Sequence, residues 1–185
     1  MLSLSTVEST KELEQILELQ QQNLLQNIDE VEMQTQGFVT MIHDLHVLQQ
    51  MHDLAPSIIA KDNGEVVGYA LVMLRECRKL FPPLEPMFKN FENLKYRNTP
   101  LNNYKYYVMG QVCIAKKYRR TGLFDQLYMK HKEIYENQFD FIVTEVSTRN
   151  QRSLRAHERV GFQKLDVYED EVDEWSVVLW NWERP

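Results

Sequence analysis

Residues 104–135 place the strongest constraint on the fold, because a β-rich run passes through a short basic turn into an amphipathic helix. The run YKYYVMGQVCIA (104–115) is rich in aromatic and β-branched residues, which favour strands. The turn KKYRRTG follows, and inward-facing residues then recur at helical spacing. These residues are Leu123, Leu127, His131 and Ile134. A strand, a tight turn and a helix in this order predict an α/β fold.

The basic turn has the properties of an anion site. The first N–H groups of a helix lack partners within the helix, and the helix dipole is positive at this end. Gly122 permits close approach of the backbone, and Lys117, Arg119 and Arg120 add positive charge. Neither GxxxxGK[ST] nor GxGxxG is present. The turn therefore predicts a phosphate site that is neither a P-loop nor a Rossmann fingerprint.

The composition limits what this anion can belong to. The chain has 185 residues, of which 43% are hydrophobic and 26% charged, and this predicts a single domain over residues 1–185. A net charge of -6 argues against nucleic acid or an anionic membrane surface as a partner. The basic cluster is therefore expected to bind a small anion.

The cysteines and the hydropathy of the chain exclude further classes of protein. Cys77 and Cys113 are too few for a disulfide framework and do not form a CxxC metal motif. No apolar run reaches the roughly 20 residues that span a bilayer. The first ten residues lack a signal-peptide pattern, so a cytoplasmic location is expected.

The remaining segments predict a mixed α/β sheet with helices on both faces. An edge strand at 2–7, a helix that continues to Ile28 and a second helix over about 38–54 are expected first. The turn Asn63-Gly64 joins two β-prone runs and predicts a hairpin. Later elements are strands at 139–146, 162–169 and 174–182, and a helix that starts at Asn150 and ends at a left-handed cap on Gly161.

Two segments allow alternatives. Residues 75–104 form an insertion rich in proline and aromatic side chains, with a short helix around 85–94, and such an insertion is usually a functional flap or a packed surface loop. The tryptophans of WSVVLWNW, near the end of the chain, belong either to the core or to a homodimer interface.

Two sequence blocks resemble the GNAT superfamily of acetyl-CoA-dependent N-acetyltransferases. Arg119-Arg120-Thr121-Gly122-Leu123-Phe124 resembles its pyrophosphate motif R/Q-x-x-G-x-G/A, although Phe124 stands where the motif has Gly or Ala. TEVSTRNQRSLRAHERVGF (144–162) is similar to its second signature and follows at the right separation. The resemblance covers about 57–182. It implies a mixed, mostly antiparallel central sheet whose central strands splay apart, with N-terminal helices over the acceptor site.

The resemblance also implies how acetyl-CoA is bound. The pantetheine arm would pair with the backbone of Val112, Cys113 and Ile114, with the Ile114 amide donating to the thioester carbonyl. The pyrophosphate would lie on residues 119–124. Asn150, which is also expected to cap its helix, would contact the pantetheine amides, and Ser153 would reach the same arm or lie exposed. Arg152 and Arg155 are either solvated charges or contacts to the adenosine phosphates.

Glu145 and His157 are the candidate catalytic residues. Glu145 lies five residues before Asn150, where the resemblance implies a general base that deprotonates the amine, and burial would raise its pKa. The alternative is a carboxylate bonded to a neighbouring strand. His157 lies seven residues after Asn150, where the family usually has a tyrosine that protonates the thiolate. The alternative is a hydrogen-bonded histidine of the core.

Two other chemistries are alternatives to acid-base catalysis by Glu145 and His157. Cys113 as an acyl-carrying nucleophile competes with a small buried cysteine in a core strand. His43, His46 and His52 invite a metal site, but no third ligand is fixed by their spacing, so no metal is expected. Surface or acceptor-lining histidines are the alternative.

The predicted function is therefore an N-acetyltransferase in which a primary amine attacks acetyl-CoA directly in a ternary complex. The acceptor is a small molecule or a peptide, and the acidic chain would suit a cationic one such as a polyamine. Alternatives are a non-catalytic CoA-binding sensor or assembly module, and a transferase for a longer acyl-CoA.

Overall fold

A seven-stranded sheet organises the computed structural model, which describes residues 1–27, 38, 39 and 41–182. The strands are β1 (Leu2–Thr6), β2 (Ile58–Asp62), β3 (Glu65–Met73), β4 (Lys95–Tyr96), β5 (Thr99–Pro100), β6 (Tyr106–Ile114), β7 (Phe141–Ser147), β8 (Gln163–Glu169) and β9 (Glu174–Asn181). The helices are α1 (Thr10–Gln22), α2 (Leu45–Leu54), α3 (Glu85–Asn93), α4 (Leu123–Tyr135) and α5 (Gln151–Val160). The sheet order is β1-β2-β3-β6-β7-β9-β8, and β4 and β5 form a separate ribbon.

The central strands β6 and β7 separate partway along their length. They are the parallel pair of the sheet and stay in register only from Tyr106–Phe141 to Val108–Val143. At the next residue the Thr144 hydroxyl donates to the Met109 carbonyl over 2.8 Å. A bulge in the β3–β6 ladder follows directly, because the register shifts between the Ala70 and Val72 pairs. The predicted splaying of the central strands is confirmed, and it opens a cleft at this end of the sheet.

Helices cover both faces of the sheet, as predicted. On one face α1, α2 and α3 pack on alternate strand residues such as Tyr69, Leu71 and Val143. On the other face α4 and α5 pack on the intervening residues, among them Ala70 and Ile142. The period of two along each strand divides its side chains between two cores. Both Trp180 and Trp182 lie buried in the second core, so the core alternative holds for these two residues.

The edge strand, the hairpin at Asn63-Gly64, the helix around 85–94 and the final antiparallel pair all occur as predicted. Gly161 ends α5 with a φ of +119°, and a Cβ there would come within 2.9 Å of the Trp180 ring nitrogen. The predicted left-handed cap is therefore confirmed, and glycine is needed there for space as well as for conformation.

The helix predicted over 38–54 is too long. It begins at Leu45, because the Asp44 side chain accepts from the Val47 amide and caps it. The backbone N–H of His43 donates to the side chain of Gln20 instead of entering a helix. The predicted first helix ends at Gln22, and Ile28 lies outside the described residues.

A buried polar network holds the segment before α2 against the sheet. The side-chain amide of Gln20 contacts His43 Nδ1 at 2.9 Å and Gln111 Oε1 at 2.7 Å. Gln111 also donates to the Met41 carbonyl over 2.9 Å, and its oxygen accepts from the Tyr69 hydroxyl. Since these groups are buried and bonded to one another, the network fixes residues 41–43 beside the bulge of β6.

The insertion at 75–104 packs against the first core. Leu84, Met87, Phe88 and Phe91 are buried there. Arg78 pairs with Glu85 and Glu92 and ties the start of the segment to α3. The insertion is therefore a packed element, and Leu84 and Met87 also face a cavity of the cleft.

No helix within the described residues is both long and apolar enough to cross a membrane.

We expect Thr144→Val to destabilise the protein by about 1–2 kcal/mol, because the substitution keeps the shape of the side chain and leaves the buried Met109 carbonyl without the hydroxyl donor. Urea unfolding would measure the change. Thr6→Val, on the edge strand β1, is the control for the same chemical replacement. An unchanged free energy of unfolding in Thr144→Val would show that the hydroxyl does not stabilise the point where the strands separate.

Candidate active site

The basic turn between β6 and α4 adopts a backbone suited to an anion. Arg120 has a φ of +65° and Gly122 a φ of +82°, so two residues of the turn are left-handed. Gly122 is the N-cap residue of α4 and has no side chain with which to bond the first N–H groups of the helix, so a ligand can be their partner. Successive N–H groups in such a turn form a concave site for a phosphate oxygen.

This turn forms one wall of a cleft of about 590 Å³ between the separated strands. The predicted cofactor residues that line it are Val112, Cys113, Ile114, Arg119, Arg120, Gly122, Leu123, Phe124, Asn150 and Ser153. Thr121 does not line the cleft, because its hydroxyl donates to the Tyr118 carbonyl over 2.6 Å within the turn. Residues from two distant parts of the chain are thus brought together as the sequence blocks implied.

Arginines concentrate positive charge at the outer end of this cleft. Arg120, Arg152, Arg155 and Arg159 all line it. Burial lowers the pKa of Arg152, and its arginine neighbours lower it further. Arg159 pairs with Asp125 at 2.7 Å. Arginines held this close together create a positive electrostatic potential that attracts a polyanion. This supports Arg152 and Arg155 as contacts to phosphates.

Arg119 connects the turn to α1. Its Nε donates to the Ile114 carbonyl over 3.1 Å, and its Nη2 donates to the side chain of Asn23, the C-cap residue of α1. Asn23 also lines the cleft. No motif in the sequence pointed to Asn23, because only the fold brings the end of α1 to the turn.

Phe124, the departure from the pyrophosphate motif, packs under its helix and also lines the cleft. Its ring lies 5.0 Å from Tyr128 and 5.1 Å from His157, measured between centroids. It is half-buried, so one edge remains toward the cleft.

The backbone of Ile114 faces the gap between the strands. The Ala115 N–H donates to Val67 in β3 over 2.9 Å. Because neighbouring residues of a strand point their N–H and C=O groups to opposite sides, those of Ile114 point away from β3. The bond from Arg119 to the Ile114 carbonyl agrees with this direction.

A second, smaller cavity of about 110 Å³, the inner cavity, continues the cleft toward the insertion. It shares Phe38, Val39, Val112, Asn150 and Ser153 with the first cavity. Asn150 caps α5 by accepting from the Ser153 amide over 3.2 Å, as predicted. Its side-chain nitrogen donates to the Phe38 carbonyl over 3.3 Å. Asn150 therefore lies at the junction of the two cavities.

Glu145 lines the second cavity beyond the point where β6 and β7 separate. Burial raises the pKa of its carboxyl group to about 7, while the hydrogen bond from the Tyr168 hydroxyl lowers it and Asp170 raises it. A carboxyl group with this pKa accepts and releases a proton near neutral pH. Tyr168, on β8, was missed in the sequence because a tyrosine in an edge strand carries no distinguishing pattern.

His157 also borders the second cavity, but both of its ring nitrogens are engaged. Nδ1 lies 2.8 Å from the Ser153 carbonyl, which can only accept, so this nitrogen carries the proton. Nε2 then accepts from the Tyr128 hydroxyl over 2.6 Å. Burial lowers the pKa of His157 to about 4. This geometry speaks against the predicted acid role and favours a neutral histidine of the core.

The nucleophile and metal alternatives gain no support from the geometry. Burial raises the pKa of the Cys113 thiol to about 12, so the thiolate is scarce near neutral pH. His43 is buried in the polar network, and burial lowers its pKa to about 4. Within residues 1–27, 38–39 and 41–182, no three His, Cys, Asp or Glu side chains come together as a metal ion would require.

Solved structures share this fold across the whole chain. The ribosomal-protein-S18-alanine N-acetyltransferase from Escherichia coli is 11% identical, with a TM-score of 0.66 over 100% of this chain and 96% of that chain. A GNAT-family acetyltransferase from Streptococcus agalactiae is 12% identical, with a TM-score of 0.68 over 99% and 96%. The putative acetyltransferase yncA from Salmonella typhimurium, solved with acetyl-CoA, is 13% identical, with a TM-score of 0.63 over 100% and 95%.

No curated protein matches the sequence. The family described as acetyltransferase (GNAT) matches residues 23–162, which span the turn, both separated strands and the second sequence block. The chain belongs to the GNAT acetyltransferase family.

Proposed function

We propose that this protein transfers the acetyl group of acetyl-CoA to a primary amine by direct attack within a ternary complex. The observation that carries the proposal is one continuous cleft, basic at its outer end, whose inner cavity has one carboxyl group, of pKa about 7, among the described lining residues. Membership in an acetyltransferase family supports acetyl transfer in general.

Acetyl-CoA fits the larger cavity by its chemistry. The pyrophosphate would lie on the left-handed turn and the first N–H groups of α4. The remaining phosphate would meet Arg152 and Arg155. The pantetheine arm would pair with the backbone that β6 turns toward the gap, and the Ile114 N–H would donate to the thioester carbonyl as negative charge develops there.

Glu145 would act as the general base. It removes a proton from the acceptor ammonium, and the neutral amine attacks the thioester carbon. A C–N bond forms and the C–S bond breaks, so that CoA leaves as the thiolate. The nitrogen then loses its second proton, which passes through solvent to the thiolate and gives the neutral amide and CoA thiol. Tyr168 would hold the Glu145 carboxylate by donating its hydroxyl hydrogen. His157 is left out of this scheme, because its one proton is donated to the Ser153 carbonyl.

We expect calorimetric titration of acetyl-CoA to show saturable binding in the micromolar range, and Gly122→Trp to abolish it by filling the turn. Gly64→Trp is a matched control, because Gly64 also has a positive φ and its Cβ direction is open, in the β2–β3 turn. Loss of binding in both variants would mean that strain, and not occupancy of the cleft, causes the effect. Binding without CoA release with any amine would favour the non-catalytic module.

We expect Glu145→Gln to lower kcat by about 100-fold or more while leaving acetyl-CoA affinity unchanged, because the base is lost and the larger cavity is kept. In the wild type, kcat/KM should fall as pH drops below about 7. Tyr168→Phe removes a hydrogen bond that lowers the Glu145 pKa, so this limb should move to higher pH. An unmoved limb in Tyr168→Phe would contradict the assignment of the limb to Glu145.

A further inference from the structure

The side chains that line the inner cavity restrict which acceptor can bind there. Five of the side chains around it, Met41, Met73, Leu84, Met87 and Val108, are apolar and come from the segment before α2, from β3, from the insertion and from β6. Glu145 contributes the one charged side chain among the described residues that line this cavity. An acceptor therefore meets one carboxyl group in an apolar surrounding.

Three of the polar side chains around this cavity already have partners in the protein. The Thr144 hydroxyl donates to Met109, the Ser147 hydroxyl donates to Asp173 over 2.8 Å, and Gln111 belongs to the buried network with Gln20. A second charge on the acceptor would lose water and find no free counter-charge among the described lining residues. Burying such a charge without a partner is strongly unfavourable.

We infer that the acceptor is a primary amine that carries no second charge and is attached to an apolar group. This inference rests on the proposed function and adds the class of substrate. A polyamine or a lysine-like acceptor brings an extra ammonium, and the described lining residues include no second carboxylate to pair with it. A free amino acid brings a carboxylate, and the described lining residues include no lysine or arginine to pair with that group. An uncharged amide beside the amine is compatible with the cavity, so the amine belongs either to a peptide with an apolar first residue or to a free amine of the same character.

The side chains that line the inner cavity, and not the net charge of the chain, determine which acceptor fits. An overall charge of -6 favoured a cationic acceptor such as a polyamine. The acidic residues responsible for the net charge are distributed over the protein, whereas selectivity depends on those that reach the acceptor.

Three acceptors of similar size test the inference by release of CoA from acetyl-CoA. L-methioninamide has one charge, L-methionine adds a carboxylate, and L-ornithinamide replaces the end of the side chain by an ammonium. We expect kcat/KM for methioninamide to exceed that for the other two, and that for spermidine, by roughly 100-fold. A peptide beginning with Met, compared with methioninamide, identifies which source of the amine is preferred.

Met41→Asp should reverse part of this selectivity, because it adds a second carboxylate at a half-buried position of the cavity wall. We expect the ratio of kcat/KM for ornithinamide to that for methioninamide to rise about 10-fold. Ile42→Asp is the matched control, since the adjacent side chain is 48% exposed and should keep the wild-type ratio.

The outcomes separate the two proposals. If ornithinamide, methionine or spermidine reacts as well as methioninamide, the acceptor class is overturned while the acetyltransferase proposal stands. If acetyl-CoA binds and no amine releases CoA, both are overturned. An unchanged ratio in Met41→Asp would show that the wall of the inner cavity does not determine which acceptor is preferred.

Discussion

The separation of β6 from β7 after the Val108–Val143 pair is the constraint on which the rest of this structure depends. Backbone groups that would pair across a continuous ladder are left facing a gap, and they need other partners. Near the point of separation the Thr144 hydroxyl supplies one. Farther out, Arg119 supplies another by donating to the Ile114 carbonyl.

The gap divides the ligand site into two electrostatic environments. The outer end lies against a left-handed turn and a group of arginines, which suits the phosphates of a nucleotide. The inner end lies between apolar side chains, and the same burial that excludes water raises the Glu145 pKa to about 7. A single opening in the sheet thus places a basic turn and a carboxyl group of raised pKa along one cleft.

Burial also distinguishes Glu145 from two histidines that the sequence singled out. His43 and His157 are each enclosed and hydrogen-bonded to neighbours, and burial lowers the pKa of both to about 4, so both are neutral near pH 7. Glu145 differs because it is only half-buried at the cavity, and burial raises its pKa to about 7. Position in the sequence singled out both Glu145 and His157, and burial gives the two groups opposite pKa shifts.

The sequence alone predicts most of the secondary structure and many of the residues in the cleft. The period-two and helical patterns predicted most elements. The blocks 119–124 and 144–162 predicted residues that line one cleft, because local backbone geometry depends on nearby residues such as Gly122 and Asn150. The start of α2, Asn23 beside Arg119, and Tyr168 beside Glu145 depend on contacts between residues far apart in sequence. No local pattern encodes them. The pKa of Glu145 and the apolar inner cavity were likewise decided only by the tertiary structure, since desolvation is a property of everything packed around a group.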